Sequence, residues 1–246
     1  MITVYIVVGN RPQYIKAAIF LNSIKKKHIE YKLIDTNQHY DKNLSKNFFK
    51  ELKIPKSVIN LKIGSHLNTL AVSKIIEQLQ LKIKKKPDGI LVFGDTNSTL
   101  AASLYGALNY IPVFHSEGGE RIYRRNQLPE EINRCTADSL SSLIFTSSLK
   151  AKNNLILEGI HQKKIIFTGD VMFDLYKKSK QIILKKEIFY LKKYNLKKNQ
   201  YIFGTIHREE NTNKIKFKNF FDVLKKTNKK FIISLHPRLK KILNKN

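Results

Sequence analysis

Short apolar runs alternate along this chain with longer stretches in which apolar residues recur every three or four positions. Residues 2–8 (ITVYIVV) form the first such run and predict a strand; the spacing over 13–27 predicts a helix. A strand at 31–36, helices at 41–53 and 66–85, the strand 89–93 (GILVF) and a helix at 97–109 follow. Next come strand 111–115, helix 130–140, strand 142–146, helix 148–158 and strand 164–168. After a helical, lysine-rich stretch at 170–198 a second series opens, with strand 201–206, helix 214–227, strand 231–235 and helix 238–245. Strands and helices in this order predict an α/β protein, a parallel doubly wound sheet covered by helices on both faces. There is no internal repeat and no low-complexity linker, and the break between the two series puts a domain boundary near residue 169. The expected domains are 1–168 and a shorter 169–246.

At 246 residues and 42% hydrophobic, the chain can bury a substantial core, which excludes a disordered basic tail. No apolar run approaches the roughly 20 residues of a membrane-spanning helix. The opening MITVYIVVG lacks a basic leader and a small-residue cleavage site, so it reads as a strand and not a signal peptide. Cys135 is the single cysteine, which excludes an internal disulfide and a cysteine-based zinc site. These features predict a cytoplasmic globular protein without membrane insertion.

Charge changes the picture only in part. Lys and Arg total 46 against 19 acids, a net charge of +27, and nucleic acid is the first partner such a charge suggests. Yet 39 of the cations are lysines, in runs such as Lys25-Lys26-Lys27 and Lys84-Lys85-Lys86 on predicted helix ends and polar faces. No recognition motif accompanies them, so they read as a solvated surface and no specific nucleic-acid partner is expected. The seven arginines (11, 121, 124, 125, 134, 208 and 238) fall in loops or near helix starts, and their planar forks suit phosphate and carboxylate.

The candidate chemistry lies just past the strands, where open α/β sheets bind ligands. The first strand leads into Gly9-Asn10-Arg11-Pro12-Gln13 with Lys16 a turn later, and the second into Thr36-Asn37-Gln38-His39. GILVF leads into Gly94-Asp95-Thr96-Asn97; the next strand delivers His115-Ser116-Glu117-Gly118-Gly119-Glu120-Arg121. Later strands deliver His207-Arg208-Glu209-Glu210 and His236-Pro237-Arg238. Each has a plainer reading. Asp95 either caps the helix beginning at 97 or serves a site, though a cap leaves Glu117 at the matching end of another strand unexplained. Glu130 and Glu131 suit a helix's first turn after Pro129. His115 is either a hydrogen-bonded structural histidine or a site residue, and Cys135 reads as core. Walker-type and G-x-G-x-x-G spacings are absent, so NAD and ATP phosphate loops are unsupported. His39, His115, His207 and Glu117 lack metal-ligand spacing, so neither a metal nor another cofactor is expected.

At these residues the sequence resembles the non-hydrolysing UDP-N-acetylglucosamine 2-epimerase family. The matching segments are GNRPQYIK (9–16), NQHYD (37–41), PDGILVFGDTNSTLAAS (87–103), HSEGGERIYRRNQLPEEINR (115–134), FTGDVMFD (167–174) and TIHREEN (205–211). The resemblance implies two Rossmann-like domains of the glycosyltransferase-B type with a nucleotide sugar held between them, and a homodimer when the chain is complete. It also implies epimerisation at carbon 2 by elimination and re-addition of UDP, giving UDP-N-acetylmannosamine for surface polysaccharide synthesis. Lys16, Asp95, Glu117, Glu130, Arg134 and His207 match the family's catalytic positions, and Arg11, Gln38, His39 and Arg208 are carried over as substrate contacts. Where the family commonly has Glu-Ala-Gly-Leu-Arg, this chain has Glu117-Gly118-Gly119-Glu120-Arg121, similar to the His-Gly-Gly-Glu of hydrolysing 2-epimerases. Some bacterial members bind a second, regulatory substrate molecule. Gln38, Arg208 and His236 match such a site, but Asp41 stands where a glutamine occurs.

A second domain to match the first needs roughly 150 residues, and 169–246 supplies about half of that. The expectation is therefore an incomplete second domain, with the family's Ser-Gly-Gly…Glu-Glu nucleotide segment beyond Asn246 and with apolar surface and a strand edge left uncovered. The alternatives to an epimerase are a hydrolysing 2-epimerase and an inactive remnant that needs a partner chain.

Overall fold

The computed structural model describes residues 2–24, 28–37, 59–64, 66–123, 127–206, 219–222, 224, 226–227 and 229–235. Two compact units emerge, Met1–Lys177 and Lys178–Asn246. In the first, strands β1 (Ile2–Val8), β2 (Ile29–Asp35), β3 (Ile59–Asn60), β4 (Gly89–Phe93), β5 (Val113–Ser116), β6 (Leu143–Thr146) and β7 (Ile165–Phe167) form one sheet in the order β3-β2-β1-β4-β5-β6-β7. Every pairing is parallel. The order runs outward in both directions from β1 and β4, so the chain switches direction between those strands, and ligand sites of open sheets form at that place.

Side-chain alternation builds a core on each face. Val4, Ile6 and Val8 of β1 point one way and meet Tyr14, Ala17, Ala18 and Leu21 of α1 (Arg11–Ile24). Those helical positions follow the i, i+3, i+4, i+7 spacing that lays one stripe against a sheet. Tyr5 and Val7 point the other way, into a core with Ile75 and Leu79 of α2 (Asn68–Lys82) and Ala101, Ala102 and Tyr105 of α3 (Asn97–Leu108). All five residues of β4 are buried, as a parallel strand covered on both faces requires. A smaller cluster joins Ile144, Ile165 and Leu155, the last from α5 (Leu149–Leu157), beyond α4 (Pro129–Leu140).

In the second unit, β8 (Tyr201–Ile206) pairs in parallel with β9 (Lys230–Leu235), from Tyr201↔Lys230 to Ile206↔Leu235. Parallel neighbours need a crossover connection, and most of the chain between these two lies outside the described residues. Helix α6 (Val171–Lys193) has no buried residue, and Ile182, Ile183, Ile188 and Phe189 are exposed.

Most predicted elements are present, with corrections. Helix α1 starts at Arg11, before residue 13, and β5 runs over Val113–Ser116, beginning and ending later than the expected 111–115. The two-residue β3 gave too short an apolar signal to be foreseen. The helices expected at 41–53 and 238–245 and most of 214–227 fall outside the described residues.

Candidate active site

The loops after β1, β4 and β5 are tied together before any charged group is considered. Gln13 is buried and bridges two of them: its Oε1 accepts from the Gly9 N–H at 2.8 Å, and its Nε2 donates to the Phe93 carbonyl at 2.7 Å and to the Thr96 hydroxyl at 2.9 Å. The Gly94 N–H donates to the Ser116 carbonyl at 2.9 Å, joining the β4 and β5 loops. Thr36 and Ser98 hydroxyls lie 2.8 Å apart beneath them.

Two ion pairs stand on this frame. Lys16 of α1 bonds Glu117 Oε2, and Arg134 of α4 bonds Asp95 Oδ2 through Nη2. Gly94, at φ +64°, lies against the first pair: a Cβ placed there would be 3.9 Å from both Lys16 Nζ and Glu117 Oε2. The Gly94–Asp95 turn thus touches the first pair and supplies the acid of the second. Asp95 is the most open of the four side chains at 34% exposure, and Arg134 the least at 9%. Asp95 does not cap α3; Thr96 does, accepting from the Thr99 N–H at 3.2 Å. The capping reading of Asp95 therefore falls.

Glu117 has φ +66°, a left-handed conformation that costs a non-glycine residue about 1–2 kcal/mol. Its N–H donates to the Phe145 carbonyl at 2.9 Å, which anchors the turn on β6. Strain of this kind gathers at functional sites, where the surroundings hold it in place.

Behind the pairs lies a buried network that answers the question about His115. Its Nε2 donates to the Gly94 carbonyl at 2.7 Å, and its Nδ1 lies 2.7 Å from Asp138 Oδ1. With both nitrogens engaged and no exposure, His115 is structural and holds the turn that carries Asp95. Asp138 Oδ2 also accepts from the Gly119 N–H at 3.0 Å and pairs with Arg121 at 2.8 Å. Burial pushes the Asp138 carboxyl up, but His115, Arg121 and the Gly119 N–H outweigh it and hold the group below its ordinary range. Arg121, one of the seven arginines whose forks suit phosphate or carboxylate, is buried and spends its fork on protein carboxylates: its Nε and Nη2 grip both Glu158 oxygens at 2.8 and 2.6 Å. Burial pushes its guanidinium down, and the bonds to Glu158 and Asp138, with Cys135 nearby, push it up further. Cys135 is half-buried on α4.

The remaining expected residues divide. Glu130 is exposed in the first turn of α4, and Arg11 is exposed at the first residue of α1. Gln38, His39, His207 and Arg208 lie outside the described residues, as do Asp41, Arg124, Arg125, His236 and Arg238. Two contributors went unforeseen. Glu131, the neighbour of Glu130, is buried and accepts from Arg134 Nη1 at 2.8 Å; its i, i+3 spacing to Arg134 was the available signal. Asn133 donates to the Asp95 carbonyl at 3.0 Å, which no local pattern marks.

Comparison with known proteins bears on this geometry. The profile of the family described as UDP-N-acetylglucosamine 2-epimerase matches residues 22–246. A UDP-N-acetylglucosamine 2-epimerase homolog of Methanococcus maripaludis is 40% identical over 241 residues, covering 97% of this chain and 67% of its own. The crystal structure of the Methanocaldococcus jannaschii UDP-GlcNAc 2-epimerase in complex with UDP-GlcNAc and UDP superposes with a TM-score of 0.87 at 37% identity. That match covers 99% of this chain and 68% of the other. The UDP-2,3-diacetamido-2,3-dideoxy-D-glucuronate 2-epimerase of Pseudomonas aeruginosa is 30% identical over 252 residues, covering 97% and 68%. About a third of each relative thus has no counterpart here.

Proposed function

The chain belongs to the UDP-N-acetylglucosamine 2-epimerase family, and from that membership we propose that its site inverts carbon 2 of a UDP-2-acetamido sugar, UDP-N-acetylglucosamine first. A carboxylate removes the carbon-2 proton, the electron pair forms the C1–C2 double bond, and the C1–O bond breaks to release UDP. UDP then re-adds at carbon 1 as a proton reaches carbon 2 from the opposite face, giving UDP-N-acetylmannosamine.

The pairing of Lys16 with Glu117 against Gly94, and of Arg134 with the adjoining Asp95, carries the reading. The two faces of carbon 2 call for two carboxylates, and each of these two is held by a cation. The same cations balance charge on the departing diphosphate. Glu130, His207, Arg11, Gln38, His39 and Arg208 join this assignment through the family motifs alone. The product would feed surface polysaccharide synthesis in the cytoplasm.

Proton NMR with UDP-N-acetylglucosamine in deuterated water tests the proposal. The carbon-2 proton signal should vanish with the native chain and persist with Asp95→Asn; no exchange by the folded native chain would sink it for this polypeptide. Hydrolysis is the second reading, favoured by Gly118-Gly119-Glu120, whose acid accepts from the Ser147 hydroxyl at 2.6 Å. Free N-acetylmannosamine in the same spectrum would establish it.

A further inference from the structure

The guanidinium of Arg134 holds Asp95 with one nitrogen and Glu131 with the other. Glu131 is 1% exposed. Its Oε2 accepts from Arg134 Nη1 at 2.8 Å, and its Oε1 accepts from the N–H groups of Ile122 and Tyr123 at 3.0 and 2.9 Å. One carboxylate therefore links the segment that continues from Glu117 to the arginine that grips Asp95. Burying a charge without donors is costly. Here three donors satisfy it, two of them backbone groups, so Glu131 is fixed in place and fixes what it touches.

We propose that Glu131 is a positioning residue: it locks the Arg134 fork between two carboxylates and so sets where the Asp95 carboxylate stands. The proposal rests on the epimerase reading for its consequence in turnover, but its structural content does not. Arg134 has a flexible stem and its fork can rotate; bidentate engagement removes that freedom. Asn133 completes the arrangement by holding the Asp95 backbone carbonyl at 3.0 Å and Asn97 Oδ1 at 3.1 Å. Residues 131, 133 and 134 thus hold backbone, side chain and counter-ion of the same aspartate, all from the first half of α4. Glu130, exposed beside them, is free of this duty.

The substitution Glu131→Gln separates the two roles of the carboxylate. A glutamine oxygen can keep the Ile122 and Tyr123 N–H groups, but its NH2 then faces Arg134 Nη1, donor against donor. Two measurements on the full chain test the idea. Nitrogen-15 NMR of the guanidinium groups, with Arg134 assigned through Arg134→Lys, should show hindered Nη signals in the native chain that are lost in Glu131→Gln. Protection of the Ile122 and Tyr123 amides, retained in the variant, counts the folded molecules. Per folded molecule, carbon-2 proton exchange should fall by at least about tenfold, on the scale of small misplacements of catalytic groups, while KM stays within about twofold.

Unchanged Arg134 signals overturn the proposal, as does a loss that appears in KM with kcat preserved. Should the native chain exchange no carbon-2 proton, the epimerase reading fails, and the Arg134 signals still decide the role of Glu131. If Glu131→Gln does not fold, Glu131→Asp retains the charge and shortens the reach. The same loss of Arg134 signals is then expected, and their retention overturns the proposal.

Discussion

Lys16 and Glu117 form an ion pair although 101 residues separate them. One rises from the helix after β1 and the other from the turn after β5, two strands with β4 between them. The contact therefore exists only when three strands are in register, so the sheet and the site form together. The partners are 12% and 20% exposed, open enough for water to weaken the attraction yet shielded enough to restrict the lysine. A pair of this kind contributes little to stability and a good deal to charge placement.

Lys16→Met should accordingly leave the fold nearly untouched, with a change below about 1 kcal/mol in urea unfolding. On the proposed mechanism carbon-2 exchange should fall on the order of 100-fold or more, since that mechanism loses a cation beside its carboxylate and departing diphosphate. A large stability change with preserved exchange would assign Lys16 to the scaffold.

Arg134→Met behaves oppositely on stability. It strands Glu131 in the interior with its charge and without its cation, and removing one member of a buried pair typically costs about 3–5 kcal/mol. The two backbone donors to Glu131 moderate this, so about 2–4 kcal/mol is expected in urea unfolding. The double variant Arg134→Met, Glu131→Met should recover part of it, because no unpaired charge remains.

Much of this was legible because α/β periodicity and strand-end chemistry are local signals. GILVF announces a buried strand, and Asp95 and Glu117 stand next to strand ends that any reading of the pattern finds. What stayed hidden depends on tertiary approach. Arg121 has a fork that suits a ligand's phosphate or carboxylate, but Glu158 lies 37 positions away and nothing local says that it will close on that fork. Gln13 sits in a motif, but its bridging of Gly9 to Phe93 needs β1 and β4 side by side. Glu130 and Glu131 are adjacent acids, and helix phase alone decides that one is exposed and the other buried.

Gly118 is a close-approach position. A Cβ there would meet Asp138 Oδ1 and Ile144 Cγ2 at 2.3 Å each, inside van der Waals contact. Gly118→Ala should therefore push on the carboxylate that holds His115, at a cost of about 1–3 kcal/mol typical of overpacking. Thermal unfolding measures that cost. Because His115 fixes the Gly94 carbonyl, the substitution should also slow carbon-2 exchange, and a variant of native stability and native rate would show that β6 yields freely.

Acid titration should separate two buried carboxylates of opposite sign. Asp138 is held below its ordinary value of 3.8 in the folded chain, so it binds fewer protons there than when unfolded. Its contribution is fully present above that value and is lost as pH falls through the lower, folded one. Asp35 is raised instead: burial pushes it up more than its bonds to Tyr14 and the Asn37 N–H pull it down. Its contribution is present at low pH and is lost as pH rises through the raised value. Urea unfolding between about pH 7 and pH 3 should thus show the stability deficit of Asp138→Asn shrinking toward acid. The difference between native and Asp35→Asn chains should move the other way, with Asp35→Asn gaining on the native chain as pH rises. Parallel trends for the two variants would mean that global charge repulsion, with +27 on the chain, governs acid stability in place of these two sites.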